Sequence, residues 1–178
     1  MCAQCVLHPP PFRQLVVARR WAFPLDRLIS RYKYRGALSL EPALLRLWED
    51  GLRYAPAARP DALVPMPLHW RRHWWRGFNQ AMRLARGLAR PRELPCHLLL
   101  RRPRSTPPQQ GLSAFARHAA PRGTFRVRGS VKDLHLVLLD DVVTTGSSIR
   151  EASRVLLDAG AARVDVWALA RALPPRGP

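Results

Sequence analysis

Two adjacent carboxylates, Asp140 and Asp141, close a short apolar run from Leu134 to Leu139, and a turn rich in hydroxyls follows at once: Thr144, Thr145, Gly146, Ser147 and Ser148. Apolar residues then recur at helical spacing at Ile149, Ala152 and Leu156, so the stretch predicts strand, loop and helix. Glycine at 146 lets the backbone come close to an anion. The N–H groups that open a helix, together with the hydroxyls, make a concentrated set of phosphate donors. Two ionised aspartates would repel a phosphate placed on top of them. They suit instead the vicinal hydroxyls of a sugar, or a hydrated Mg2+, lying next to the phosphate. Ligands of open α/β sheets sit outside the carboxyl ends of the strands, so both carboxylates are expected to emerge where a ligand would bind.

Two other chemistries compete for the same residues. A strand ending in acids before a helix can serve the helix alone, and Ser148 with Glu151 has the spacing of a capping box. Asp140 also resembles the acidic end of a Walker B strand. That reading needs a phosphate loop ending in Lys followed by Ser or Thr, and neither Lys33 nor Lys132 is so followed.

The elements that must hold this turn can be read along the chain. Phe12 to Phe23 reads as a strand leading to Pro24. Leu25, Leu28, Ile29 and Tyr32 then recur at helical spacing up to a stop at Gly36. A second helix is expected over Leu38 to Tyr54, burying Leu40, Leu44, Leu47 and Trp48, with Tyr32 and Tyr34 as packing residues. Asp61 to Pro67 is a brief strand closed by Pro-Met-Pro, a helix from about Asn79 to Arg90 buries Met82, Ala85 and Leu88, and a strand is expected at about Pro95 to Leu100. A proline-rich basic segment follows and turns helical from Leu112 to about His118. After the central motif the helix ends at Gly160, and Arg163 to Ala170 is a last strand, which a βαβ unit would set parallel to the first.

Two basic segments flank the core of this plan. From His69 to Arg76, arginines and histidines are interleaved with Trp70, Trp74 and Trp75, before Gly77 and Asn79. Arg71, Arg72, Trp74 and Trp75 could hold single-stranded nucleic acid by backbone charge and base stacking, whereas Arg76 and Asn79 could clamp a pyrophosphate. Arg104, Gln109 and Arg117 are further candidate donors to pyrophosphate, on a loop that could close over a reactive ligand and keep water out. The alternative for both segments is an ordinary exposed basic loop.

The formal charge of +18 favours anionic partners. Arginine spread along a chain rich in Ala, Leu and Pro is also what biased genomic composition produces, and no homeodomain, zinc-finger or RNP pattern accompanies it. The chain is long enough for one ordinary domain. It holds no apolar run long enough to span a bilayer and no basic-then-apolar start, so a cytoplasmic protein with reduced cysteines is expected. Cys2 and Cys5 have zinc-ligand spacing, with His8 as a conceivable third ligand, but half of a tetrahedral Zn2+ site suggests missing upstream sequence or a degenerate remnant.

One molecule that carries a phosphate, a diol and a magnesium-binding pyrophosphate is 5-phosphoribosyl-1-pyrophosphate (PRPP), and the central stretch resembles the PRPP loop of type I phosphoribosyltransferases. Val64-Pro-Met-Pro-Leu68, Arg76-Gly-Phe-Asn-Gln-Ala81 and Arg104-x-Thr106-x-x-Gln109-x-x-Leu112 with Arg117 narrow that to the ComF/GntX family of competence proteins, over about Phe12 to Ala170. Cys2 and Cys5 match only the last of that family's Cys-x-x-Cys pairs, and Ala120 stands where the family often has Asn. The resemblance implies a type I phosphoribosyltransferase fold, an α/β domain with a mostly parallel central sheet, flanking helices and a small hood. The expected organisation is a zinc-segment remnant over 1–11, the domain over 12–173 and a frayed tail over 174–178. The resemblance further implies PRPP and Mg2+ as ligands, with Asp140 and Asp141 as catalytic residues. Transfer of a phosphoribosyl group, and an association with uptake of single-stranded DNA in natural transformation beside a competence helicase, are implied by the family alone.

Overall fold

The computed structural model describes residues 7–55, 58–67, 80–103 and 123–172. Its centre is a four-stranded sheet. The strands are β1 (Leu15–Arg20), β2 (Ala62–Pro65), β5 (His135–Val143) and β6 (Arg163–Arg171), arranged β1-β6-β5-β2 with every pairing parallel. Two very short strands, β3 (Leu100–Arg101) and β4 (Arg126–Val127), form a separate antiparallel pair. The sheet is covered by α1 (Leu25–Arg35), α2 (Glu41–Leu52), α3 (Gln80–Ala89) and α4 (Ser147–Asp158).

Strand alternation divides the core in two. Val137 and Leu139 of β5 share a cluster with Ile29 and Tyr32 of α1, Leu44 and Trp48 of α2, and Leu84 and Leu88 of α3. Leu136 and Leu138 pack the other way, with Ile149, Ala152 and Leu156 of α4 and Val164 and Val166 of β6. β5 is flanked by β6 and β2 and covered on both faces, which is why its run from Leu136 to Leu139 is continuously apolar. A parallel sheet with helices flanking it is the architecture the sequence predicts.

α2 lies unusually close to β1. A Cβ added at Gly51 would stand 2.2 Å from the Cα of Ala18, so helix and strand meet backbone to backbone at a position only glycine can hold.

Several expectations need correction. The acids do not end their strand: β5 runs on through Val142 and Val143, which pair with Ala170 and Arg171. The segment expected as one strand from Pro95 to Leu100 is split into a single parallel bridge, Cys96 to Leu63, and β3 on the other small sheet. The prolonged helix from Leu38 is a 3-10 turn, Leu38–Leu40, followed by α2, because Pro42 suits the first turn of a new helix. Leu40 and Leu47 are only half-buried. Tyr32 is buried, but Tyr34 is 69% exposed. Two residues apart on a helix, the two rings are turned to opposite sides.

Candidate functional site

At the tip of β5 the chain makes a tight turn into α4. Gly146 is the residue before the helix, with φ +80°, a conformation that disfavours any side chain. Its Cβ would meet only ordinary contacts from Ile149 and Val143, so the need for glycine here is conformational and not steric. Gly146→Ala is expected to cost about 1–2 kcal/mol of stability, read as a shift in the urea midpoint with an unchanged slope.

This turn and the strand tip line an open concavity of about 50 Å³, formed by Asp140, Val142, Val143 and the run from Thr144 to Ile149. That volume suits a compact oxyanion. Helix geometry leaves the first N–H groups of α4 without intrahelical acceptors, and the helix dipole adds partial positive charge at the same place. Thr145 and Ser147 hydroxyls are joined at 3.1 Å, and the Ser147 N–H faces Thr145 Oγ1 at 3.4 Å. All five turn residues named from the sequence, Thr144, Thr145, Gly146, Ser147 and Ser148, therefore line one wall.

Because neighbouring strand residues point to opposite faces, Asp140 and Asp141 part company. Asp140 lines the concavity. Asp141 turns toward α1, where Lys33 Nζ donates to its Oδ1 at 2.7 Å, with the two side chains 18% and 14% exposed. Burial, and then the neighbouring charge of Asp141, push the Asp140 carboxyl up to about 8, against the opposing influence of Lys33.

The sign for stability follows from the proton count. Between the ordinary value of 3.8 and about 8 the folded protein keeps a proton that the unfolded chain has released. This contribution is complete below the lower value and is lost as pH rises through the upper one. Thermal unfolding of the ligand-free protein should show stability falling across that window, with a flatter profile in Asp140→Asn.

The capping-box reading of Ser148 and Glu151 does not hold. Among the described residues no side chain caps α4, and the 7% exposed Glu151 accepts instead from the Gly123 N–H at 3.0 Å and from Arg154 at 2.9 and 3.0 Å. Nearby, Tyr32 donates to Glu41 at 2.8 Å, and Arg83 grips the same carboxylate at 2.6 and 3.3 Å, so Glu41 ties α1, α2 and α3 together.

Arg71, Arg72, Trp74, Trp75, Arg76, Asn79, Arg104, Gln109 and Arg117 lie outside the described residues, as do Cys2 and Cys5. His8 is exposed, and its carbonyl accepts from Arg150 at 2.9 Å. Among the described residues no group of three or more His, Cys, Asp or Glu side chains could hold a metal. A half-buried carboxylate beside hydroxyls, open to a ligand, nevertheless fits Mg2+, which is commonly held by one or two carboxylates together with ligand phosphates and water.

The sequence reading missed Lys33. The chain holds just two lysines among its 30 basic residues, and that singularity was the signal available.

A parallel sheet flanked by helices, with a hydroxyl-rich turn at the carboxyl end of an inner strand, defines a phosphoribosyltransferase-type α/β domain, and residues 76–177 match the phosphoribosyl transferase domain family. The chain is 39% identical to DNA utilization protein YhgH of Escherichia coli (strain K12), covering 97% of this chain and 78% of that one. It is 33% identical to competence protein F of Haemophilus influenzae, over 96% of this chain and 78% of the relative. The protein thus belongs to the phosphoribosyl transferase domain family, in the ComF group that includes these competence and DNA utilization proteins. Among solved structures, the allosteric regulatory enzyme of purine biosynthesis superposes with a TM-score of 0.49 at 22% identity, over 73% of this chain and 25% of that one.

Proposed function

We propose that the turn from Thr144 to Ser148 binds the 5-phosphate of PRPP, that Asp140 meets the ribose hydroxyls, and that the protein transfers the phosphoribosyl group to an acceptor. The observation that carries this reading is the shared wall: one carboxylate and a helix-opening amide turn border the same small concavity, as a ligand with a diol next to a phosphate requires. Fixed amides would hold the phosphate at one end of the sugar. Asp140 at the other end would orient the ring and stabilise the positive charge that develops on it as pyrophosphate departs. Mg2+ bound with the pyrophosphate would neutralise the leaving group's charge. The basic loops carrying Arg76, Asn79, Arg104, Gln109 and Arg117 are proposed to contact that pyrophosphate, with Asp141 supporting Asp140 from the far side of the strand.

A second reading is favoured by the relatives' names and by α1, whose outer face exposes Arg27, Arg31, Tyr34 and Arg35. In it the protein is a cytoplasmic binding module for single-stranded DNA and a competence helicase, and PRPP acts as a regulator or not at all. Calorimetric titration of PRPP with and without Mg2+ separates the two. Magnesium-dependent binding supports the first. Its absence, with oligonucleotide binding that weakens steeply as salt rises, leaves the second.

A further inference from the structure

Among the described residues three arginines have an Nε that is closed to solvent and meets no acceptor: Arg102, Arg163 and Arg171. Arg163 is paired through Nη2 with Asp165 at 2.7 Å, and Arg102 lies over the Phe125 ring, 5.6 Å from its centre. Arg171 has neither kind of partner there. All 12 acidic residues of the chain fall within the described segments, and none of their ion pairs includes Arg171 or Arg20. An unmatched guanidinium is ordinary on an open surface, but a donor shut away from water and left unmade is costly. The position of Arg171 says what could complete it. It ends β6, at the carboxyl edge of the sheet where ligands of α/β proteins sit, and it is in register with Val143 on one side and Arg20 of β1 on the other. Register partners turn their side chains to the same face. Val143 belongs to the cluster on the α4 side and lines the concavity, so the two arginines share the face that carries the turn. The backbone is fixed at this edge: the Trp21 N–H donates to the Arg171 carbonyl and the Ala172 N–H to the Val143 carbonyl, both at 2.9 Å.

Resting on the reading of the turn as a PRPP site, we propose that the acceptor carries a carboxylate, and that Arg171, with Arg20 beside it, is the specificity-determining residue that receives this group. β2, which leads in sequence to Arg76 and Asn79, lies on the other side of β5. The strands that carry the two arginines and the strand that leads to the pyrophosphate donors therefore flank β5 on opposite sides. Displacement at the anomeric carbon requires that separation of incoming and leaving groups. A lone pair of the acceptor forms the bond to that carbon as the bond to the pyrophosphate oxygen breaks. The broken bond's electron pair leaves with pyrophosphate, and the proton displaced from the acceptor passes to solvent. The planar guanidinium matches the two oxygens of a carboxylate, which fixes the acceptor's orientation without adding a second phosphate to the site.

The test uses the full chain and two pairs of nucleotides, the products that such a transfer would make. Orotidine monophosphate is titrated against uridine monophosphate, and nicotinate mononucleotide against nicotinamide mononucleotide, so that within each pair only the carboxylate comes and goes. Wild type is expected to bind the acid of at least one pair tighter than its neutral counterpart by roughly tenfold to a hundredfold, as a hydrogen-bonded charge pair should. Arg171→Met should remove that preference, and Arg171→Lys, which keeps the charge and loses the fork, should fall between. A general effect on folding lowers both members of a pair together, so the ratio isolates the recognition of charge. No preference for the acid in either pair, in wild type that binds PRPP, overturns the proposal, as does an undiminished preference in a folded Arg171→Met. Should that variant not fold, Arg171→Lys decides, and an unchanged ratio is the adverse result. Wild type that binds neither PRPP with Mg2+ nor any of the four nucleotides removes the reading of the turn itself, and the acceptor proposal falls with it.

Discussion

Asp140→Asn should weaken PRPP binding about a hundredfold in calorimetric titration with Mg2+ run above the value of about 8 at which this carboxyl ionises, since hydrogen bonds to a charged group contribute about 1.5–3 kcal/mol each, a ribose diol can make two, and the Asn carbonyl still accepts part of them. The same variant should be no less stable than wild type. Asp140 is a carboxylate that the fold disfavours in its charged form, because burial and the adjacent Asp141 push it up to about 8. A neutral amide removes that penalty. Lost affinity with retained or raised stability is the signature of a group kept for its ligand, and it separates this position from an ordinary buried residue, whose replacement lowers both. The single variant is also cleaner than a double replacement of both acids, because removing Asp141 leaves Lys33 without its 2.7 Å partner and mixes a folding effect into the binding result. Wild-type affinity in a folded Asp140→Asn would sink the proposed role of this carboxylate.

Gly51→Ala is the substitution expected to damage the fold most for its size. The added methyl would lie 2.2 Å from the Cα and 2.3 Å from the Cβ of Ala18. Neither can turn aside as a long side chain would, so α2 must move off β1 as a body. Trp48 and Leu44 on the same helix are almost fully buried against the sheet and would move with it. Overpacking of this kind costs about 3 kcal/mol or more, which for a chain of this length corresponds to roughly 6–12 °C in the thermal midpoint. Calorimetric melting reads it directly, and a midpoint within about 2 °C of wild type would show that the close approach has room to relax. Gly87 makes a useful contrast. Its nearest obstacle is the end of the Leu45 side chain at 2.5 Å, which can rotate, so Gly87→Ala should be milder.

Much of the central unit was legible in the sequence because its signals are local. The shift from an apolar run to helical spacing across Gly146 marks β5, the turn and α4, and the glycine at 36 marks the end of α1. What was not legible depends on partners far away in the chain. Lys33 has no local pattern linking it to Asp141. Glu151 has the spacing of a cap, but its carboxylate is claimed by Gly123 and Arg154, a choice no local rule contains. The parting of the two acids was within reach. Val142 and Val143 are β-branched residues that favour strand, and once the strand is allowed to continue through them, alternation sends Asp140 and Asp141 to opposite faces. Tyr34 likewise could have been separated from Tyr32 by helical phase alone.

Among the described residues β1 finds its sheet partner only in β6, a register that joins Leu15 to Val166. During synthesis on the ribosome, β1 must emerge with its hydrogen-bonding edge unmatched until β6 has followed it. Such distant pairing slows folding, because the entropy of closing a long loop is lost before any contact rewards it. A break ahead of β6 therefore reaches back to β1, which keeps its contact with α2 at Gly51 but loses its place in the sheet.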